Sequence, residues 1–173
     1  MAEILEILKY ILPSLVVFLT SYLILKKFID KEEKKLRYEL SIRNEQFTIP
    51  IRLQAYERII LFLERISPES LIVRVNKSEM TSKQLHSALL SAIRSEYEHN
   101  MSQQVYLGPA TWNVVKSARS NLIKIINVSA GSVDPESPSM NLSKVILENI
   151  MEEDESPVDT AINHVKKEIR ELF

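Results

Sequence analysis

The stretch LILKKFIDKEEKKLR, residues 23–37, changes from wholly apolar to almost wholly charged within two residues. The apolar run ends at Leu25, and Lys26 begins a run dominated by lysine, glutamate and arginine. A helix that is apolar on all faces needs an apolar environment, whereas dense charge needs water. This boundary therefore predicts a helix that leaves a membrane and continues into water.

The apolar run before this boundary has the properties of a membrane anchor. Its uncharged part, Tyr10–Leu25, has 16 residues, or about 24 Å as a helix. Extension back through Ile7 brings it near the roughly 30 Å of the hydrocarbon layer, if Lys9 extends its ammonium to the headgroups. A cleaved signal peptide would begin with basic residues, but two glutamates come first. Residues 1–28 are predicted to form an uncleaved transmembrane anchor, with a buried helical hairpin or an in-plane amphipathic helix as alternatives.

The cations around this run are distributed unevenly. Seven lysines and arginines follow it before residue 44, and Lys9 alone precedes it. Because such cations stay on the cytoplasmic side, we expect a single pass through the cell inner membrane, with the N-terminus outside and the remainder in the cytoplasm. Residues 29–47 are predicted to form a charged stalk helix. A sparse heptad pattern in the stalk indicates a weak coiled-coil tendency: Ile29, Leu36, Leu40, Arg43 and Phe47.

The residues after the stalk show the 3.6-residue apolar period of amphipathic helices. A break is predicted at Thr48-Ile49-Pro50, since the residue before a proline avoids helical dihedral angles. New helices are predicted to begin at Pro50, Pro68, Thr81 and Pro109, because proline and threonine suit helix starts. Residues 48–130 are therefore predicted to form a compact cytoplasmic helical bundle.

Two polar segments separate this bundle from the end of the chain. GSVDPESPSM, residues 131–140, has the composition of a flexible linker, and a shorter polar segment follows a predicted helix around Leu142–Met151. Residues 131–173 are thus predicted to be linker plus C-terminal helices. The last helix, an amphipathic one, begins at Ser156-Pro157 and has an apolar seam: Val158, Ile162, Val165, Ile169 and Leu172. Two heptads are too few to be stable alone, so this seam is predicted to contact another chain, with packing onto the bundle as the alternative.

Several polar side chains fall on apolar faces of the predicted bundle. A helical projection places Glu96 and Asn100 near the centre of one face and Arg52 in the middle of another. Buried carboxylates need partners, so a buried Arg52–Glu96 pair with Asn100 close by is predicted inside the bundle. A recognition pocket made of the same groups is the alternative.

Composition excludes several classes of function. Without cysteine the chain has no disulfide and no thiolate ligand or nucleophile. With only Gly108 and Gly131 it has no glycine-rich phosphate-binding loop, and 22 basic against 23 acidic residues lack the basic excess of a nucleic-acid binder. Glu96 and His99 form one Glu-x-x-His pair, but a di-iron bundle needs a second. We therefore expect no cofactor, no metal, no nucleic acid and no small-molecule substrate.

Two blocks of the bundle carry a family resemblance. They are IPIRLQAYERIILFLERISPESLIVRV, residues 49–75, and IRSEYEHNMSQQVY, residues 93–106. These blocks resemble an uncharacterised family of bacterial single-pass membrane proteins with an N-terminal anchor and a helical cytoplasmic region. The resemblance implies that architecture and carries no activity, cofactor or partner.

These features together predict a function in protein assembly. An anchor, a stalk, a small bundle and a spare apolar seam indicate a membrane-anchored, non-enzymatic adaptor subunit of a larger inner-membrane assembly. Its expected partners are the lipid bilayer and other subunits of a membrane complex, or copies of itself. The alternative is a membrane-tethered, metal-dependent enzyme that uses the Glu96 and His99 region.

Overall fold

The computed structural model describes residues 2–152 and 156–172, without the side chains of residues 2–10, 12 and 44. Every regular element in this part of the chain is helical, which confirms the predicted all-α class. The elements are α1 (Ala2–Ile66), α2 (Pro68–Val75), α3 (Ser82–Asn100), a 3-10 helix (Met101–Val105), α4 (Pro109–Gly131), α5 (Ser139–Met151) and α6 (Pro157–Leu172). The chain forms two compact units, the N-terminal unit Met1–Ile49 and the C-terminal unit Pro50–Phe173.

The helix starts in the C-terminal unit follow local sequence signals. α2 and α4 each have proline in their first turn, where a missing N–H group leaves no hydrogen bond unmade. α3 begins with a capping box, in which the Thr81 hydroxyl accepts from the Gln84 N–H at 3.4 Å. The Gln84 side chain accepts from the Thr81 N–H at 3.0 Å in return. The predicted helix starts at Pro68, Thr81 and Pro109 are confirmed.

The predicted break at Thr48-Ile49-Pro50 is wrong, because α1 remains helical through all three residues. Proline has no N–H group, so α1 lacks the hydrogen bond that residue 50 would donate to the preceding turn. The helix tolerates that loss. The division between the two compact units falls between Ile49 and Pro50.

The core of the C-terminal unit contains side chains from all six α-helices. Its aromatic centre is Phe62 of α1, whose ring centroid lies 6.1 Å from that of Tyr97 on α3. Tyr97 in turn stacks on Trp112 of α4 at 5.8 Å. Every α-helix contributes fully buried aliphatic residues, among them Ile59 and Leu63 of α1, Leu71 of α2, Leu85 and Leu89 of α3, Val115 and Leu122 of α4, Leu142 and Ile146 of α5, and Val158 and Val165 of α6.

The polar segment 131–140 is hydrogen-bonded to the start of α3. The Ser82 N–H donates to Ser137 O at 2.8 Å, and the Lys83 N–H donates to Pro135 O at 2.9 Å. These are N–H groups of the first turn of α3, which have no acceptor within their own helix. In place of the predicted flexible linker, the structure therefore has an ordered turn that caps α3.

α6 packs against α4 within the C-terminal unit. Val158 and Val165 are completely buried, Ile162 is 5% exposed, and Ile169 packs partly buried against the core. The prediction that these seam residues contact another chain is wrong, and the alternative of packing onto the bundle is what the structure has. A tethered helix stays at high effective concentration near the apolar surface of its own domain, which favours this outcome. Leu172, the last seam residue, remains 41% exposed.

The N-terminal unit shows the opposite pattern of burial. Its large apolar side chains, where described, range from 37% exposed at Ile49 to 70% at Phe18 and Phe47. No helix among the described residues has a stretch both long enough and apolar enough to cross a membrane. The predicted anchor, residues 1–28, includes residues 1–10 and 12, whose side chains lie outside the described part of the chain.

Candidate functional site

Glu96 of α3 binds two arginines from two other helices. Arg65 Nε and Nη2 lie 2.9 and 2.7 Å from Glu96 Oε1. Arg74 Nη1 lies 2.9 Å from the same oxygen, and Arg74 Nη2 donates to Arg65 O at 3.0 Å. The Glu96 side chain is 15% exposed, against 55% for Arg65 and 38% for Arg74. One carboxylate therefore joins the C-terminal ends of α1 and α2 to the C-terminal part of α3.

The predicted pairing of Arg52 with Glu96 is wrong. Arg52 Nε donates to Tyr106 O at 3.4 Å, and Arg52 Nη2 donates to the Tyr56 hydroxyl at 3.4 Å. A helical projection gives the face on which a residue lies but not its height along a neighbouring helix. The packing of α1 on α3 brings Arg65, about three and a half turns after Arg52, level with Glu96.

Asn100, the third residue of the predicted polar centre, is 7% exposed. Its side-chain Nδ2 donates to the main-chain oxygen of Glu96 at 2.9 Å, within the last turn of α3. This local bond satisfies the amide group, which would otherwise be buried without a partner. Asn100 thus needs no contact with Arg52.

A groove lies between α1 and α3 beside the Glu96 cluster. A cavity of about 370 Å³ is lined by Arg58, Leu61 and Arg65 on one side and by Glu96 and His99 on the other, among others. A second cavity of about 430 Å³ shares Arg58 and continues from Ile51 on α1 to Tyr106, just after the 3-10 helix. We call the two together the α1/α3 groove. Among the described residues, Arg58 has no ion pair within 4.0 Å.

The groove has the wrong charge for a metal ion. In the part of the chain that the structure describes, no three histidine, cysteine, aspartate or glutamate side chains come together. Glu96 Oε1 already accepts from two guanidinium groups, whose positive charge opposes a cation bound between Glu96 and His99. Two arginines of the lining, Arg58 and Arg65, against one glutamate suit an anionic ligand, because guanidinium groups bind carboxylates and phosphates in charge-assisted pairs.

A second polar cluster lies where α6 meets the start of α4. Glu168 Oε1 accepts from the Gly108 N–H at 2.9 Å. Burial raises the pKa of Glu168, but the hydroxyls of Thr111 and Tyr56, the Gly108 N–H and the Arg52 guanidinium outweigh it, and the pKa lies below its ordinary value. Burial, followed by the Glu168 carboxylate, raises the pKa of Tyr56. The cluster holds a charged carboxylate at the positive end of α4.

One oxygen of this carboxylate is poorly satisfied. Glu168 Oε2 is buried and has no hydrogen bond of acceptable distance and angle among the described residues. The Thr111 and Tyr56 hydroxyls act on this carboxylate as nearby dipoles, whereas the Gly108 N–H donates a direct hydrogen bond to it. A β-carbon at Gly108 would lie 2.6 Å from Glu168 Oε1, so glycine leaves the space that this bond occupies.

Neither cluster was predicted in this form. Arg58 and Arg65 lie off the apolar face of α1 and look like ordinary solvated cations in a sequence. For Glu168 a partial signal exists, since Gly108-Pro109 marks a helix start whose free N–H groups favour a nearby carboxylate. The sequence does not say which carboxylate of the chain reaches them.

These features define a class: an all-α protein whose C-terminal unit is a small helical bundle with a cationic groove. The chain belongs to a family of unknown function, DUF7935, whose sequence model matches residues 2–172. No curated protein and no solved structure matches the chain. The match confirms membership of an uncharacterised family.

Proposed function

We propose that the protein is a membrane-anchored, non-enzymatic adaptor subunit of a larger inner-membrane assembly. Its N-terminus lies outside, and its C-terminal unit lies in the cytoplasm. One observation carries the anchoring: five consecutive apolar residues of α1, 15–19, are each between 47% and 70% exposed. Successive residues of a helix point about 100° apart, so apolar side chains occupy its whole circumference.

Such a helix needs an apolar environment around it. A bilayer supplies one, and a helix satisfies its own backbone hydrogen bonds there. The lysines and arginines that begin at Lys26 favour a bilayer over a soluble partner protein around this helix. Such cations are typical of the point where a membrane span meets the cytoplasmic headgroups, and they orient the chain.

The adaptor role is supported by the surface of the C-terminal unit. The α1/α3 groove is open, cationic and partly apolar, which suits recognition of another chain. The non-enzymatic part of the proposal is supported by Glu96, whose Oε1 accepts from both Arg65 and Arg74, so that two guanidinium charges oppose a metal cation beside His99.

Cysteine labelling tests the anchoring and its orientation. The chain has no cysteine, so single cysteines can be introduced without background. Glu3→Cys should react with a membrane-impermeant maleimide in intact cells, whereas Glu45→Cys should react only after permeabilisation. The reverse pattern would overturn the orientation, and release of the protein by alkaline carbonate would overturn the anchoring.

A matched pair of substitutions tests which part of α1 is the anchor. Leu19 and Leu36 are both exposed, at 47% and 57%. An arginine at the centre of a membrane span costs about 2.5–3.5 kcal/mol of insertion free energy. Leu19→Arg should therefore move protein from the membrane fraction to the soluble fraction, and Leu36→Arg should not. Equal distributions for the two variants would mean that residues 11–28 do not insert.

A further inference from the structure

We infer that the α1/α3 groove is the docking site for an acidic, amphipathic helical segment of a partner protein. This inference rests on the adaptor role proposed above and adds to it a site and the chemistry of the partner. It is carried by the length of the groove, its exposed apolar side chains and its unbalanced charge.

The length of the groove suits a short helix. Its lining on α1 extends from Ile51 to Arg65, which is about 21 Å along a helix axis. Within the groove Leu61 is 52% exposed and Ile51 is 49% exposed, and Val105 on the opposite wall is 78% exposed. A partner helix of about 14 residues has the same length, and one apolar face of it would cover these side chains.

The charge of the groove selects an acidic partner. Of the residues that line the groove, Arg58 and Arg65 carry two positive charges against one negative charge on Glu96, an excess of one, in a chain whose net charge is −1. Arg65 shares the Glu96 oxygen with Arg74, which lies outside both cavities, and Arg58 has no ion pair among the residues described. Carboxylates spaced along a partner helix would supply the missing counter-charges.

The neighbours of the groove favour a narrow partner over a flat anionic membrane. Glu57, Glu64 and Glu98 are exposed and adjoin groove residues in sequence, but they do not line either cavity. A planar anionic surface would meet these carboxylates together with the arginines and be repelled by them. A single helix in the groove meets Arg58 and Arg65 with Glu96, and the three outlying carboxylates stay outside the contact.

Site-specific photo-crosslinking in the full-length chain tests the inference in cells that naturally produce the protein. Leu61→benzoylphenylalanine places the probe in the groove at an exposed position. Val128→benzoylphenylalanine, at a 60% exposed position of α4, is the control. The Leu61 probe should crosslink to a protein segment in which aspartate and glutamate outnumber lysine and arginine, as mapped by mass spectrometry, and the Val128 probe should not reach that segment.

Charge reversal gives the second half of the test. Arg58→Glu should lower the crosslinking yield at Leu61 by about tenfold or more, because a like charge then faces the acidic segment. Arg94→Glu changes an exposed arginine outside both cavities and should leave the yield unchanged. Since Arg58 has no ion pair to lose, its substitution should not unfold the bundle.

The other outcomes overturn the inference. They are crosslinks to lipid, to another copy of this chain, to a neutral or basic segment or to nothing, and a yield at Leu61 that Arg58→Glu does not change. Its failure can be separated from failure of the adaptor role. Subunits that co-purify equally with the parent and with Arg58→Glu would keep that role and remove the groove, whereas an absence of co-purifying subunits from both would remove both.

Discussion

Helix α1 contains two regions of the same residue types with opposite burial. In the N-terminal unit Phe18 is 70% exposed and Leu19 is 47% exposed, whereas in the C-terminal unit Phe62 is 1% exposed and Leu63 is fully buried. The difference lies in the spacing of apolar residues. Around Phe18 they are contiguous, so no polar face separates an inside from an outside. After Pro50 they recur with a helical period, so one face packs on α3 and the other stays in water. Apolar content alone therefore does not determine where a core forms.

The largest expected effect breaks the core of the C-terminal unit at α6. Val165 is fully buried, so Val165→Asp places a carboxylate in apolar surroundings without a cation and should destabilise the unit by about 4 kcal/mol or more. Leu172→Asp, at a 41% exposed position of the same helix, should have little effect. Thermal unfolding followed by circular dichroism in detergent measures both. Equal melting temperatures for the two variants would contradict the packing of α6 on α4.

A matched truncation compares the two regions of α1 directly. Leu63→Ala should cost about 2–5 kcal/mol, because it removes buried methyl groups and leaves a cavity in the bundle. Leu36→Ala, at a 57% exposed position of the N-terminal unit, should change the stability of the bundle by less than about 0.5 kcal/mol. Chemical denaturation gives both free energies. If Leu36→Ala proved as costly as Leu63→Ala, the Leu36 side chain would be buried in the folded protein under the conditions of the experiment.

Substitutions of ion-paired glutamates should show a smaller difference in stability between the two units than substitutions of leucine. Glu96 binds two arginines and is 15% exposed, whereas Glu39 lies 3.9 Å from Lys35 with both side chains more than 60% exposed. Glu96→Gln should destabilise the bundle by roughly 1 kcal/mol, discounted for the exposure of the arginines, and Glu39→Gln should be silent. The same denaturation experiment measures them. A loss for Glu96→Gln as large as that for Leu63→Ala would mean that the cluster is buried in solution.

The smallest expected effect is a pH dependence of the C-terminal unit. The pKa of Glu168 is lowered in the folded chain, so its stabilising contribution is present above the ordinary value of 4.5 and is lost as the pH falls through the folded pKa. Glu168→Gln should therefore lose less stability than the parent between about pH 6 and pH 3. Glu171→Gln, on the exposed side of α6, should follow the parent. Parallel curves for the parent and Glu168→Gln would remove Glu168 from the acid response.

Features that depend on neighbouring residues could be predicted from the sequence, whereas contacts between distant residues could not. Helix starts at Pro68 and Thr81 are determined within a few residues, because proline geometry and the capping box act locally. The partner of Glu96 was predicted on the correct helix but at the wrong height, Arg52 in place of Arg65. That error arises because apolar periodicity gives the face on which two helices pack but not their relative position along the helix axis.

By itself the sequence determined the all-α class, the start of most helices and the division of the chain into a contiguous apolar run, a charged stretch and periodic amphipathic helices. These properties follow from local backbone preferences and from the spacing of apolar residues. Only the tertiary structure decided that α6 packs on α4, that residues 131–140 cap α3, and that Arg65 and Arg74 meet at Glu96. Each of these depends on which surfaces of distant segments fit together. That choice is made by side-chain packing in three dimensions, and a one-dimensional pattern does not encode it.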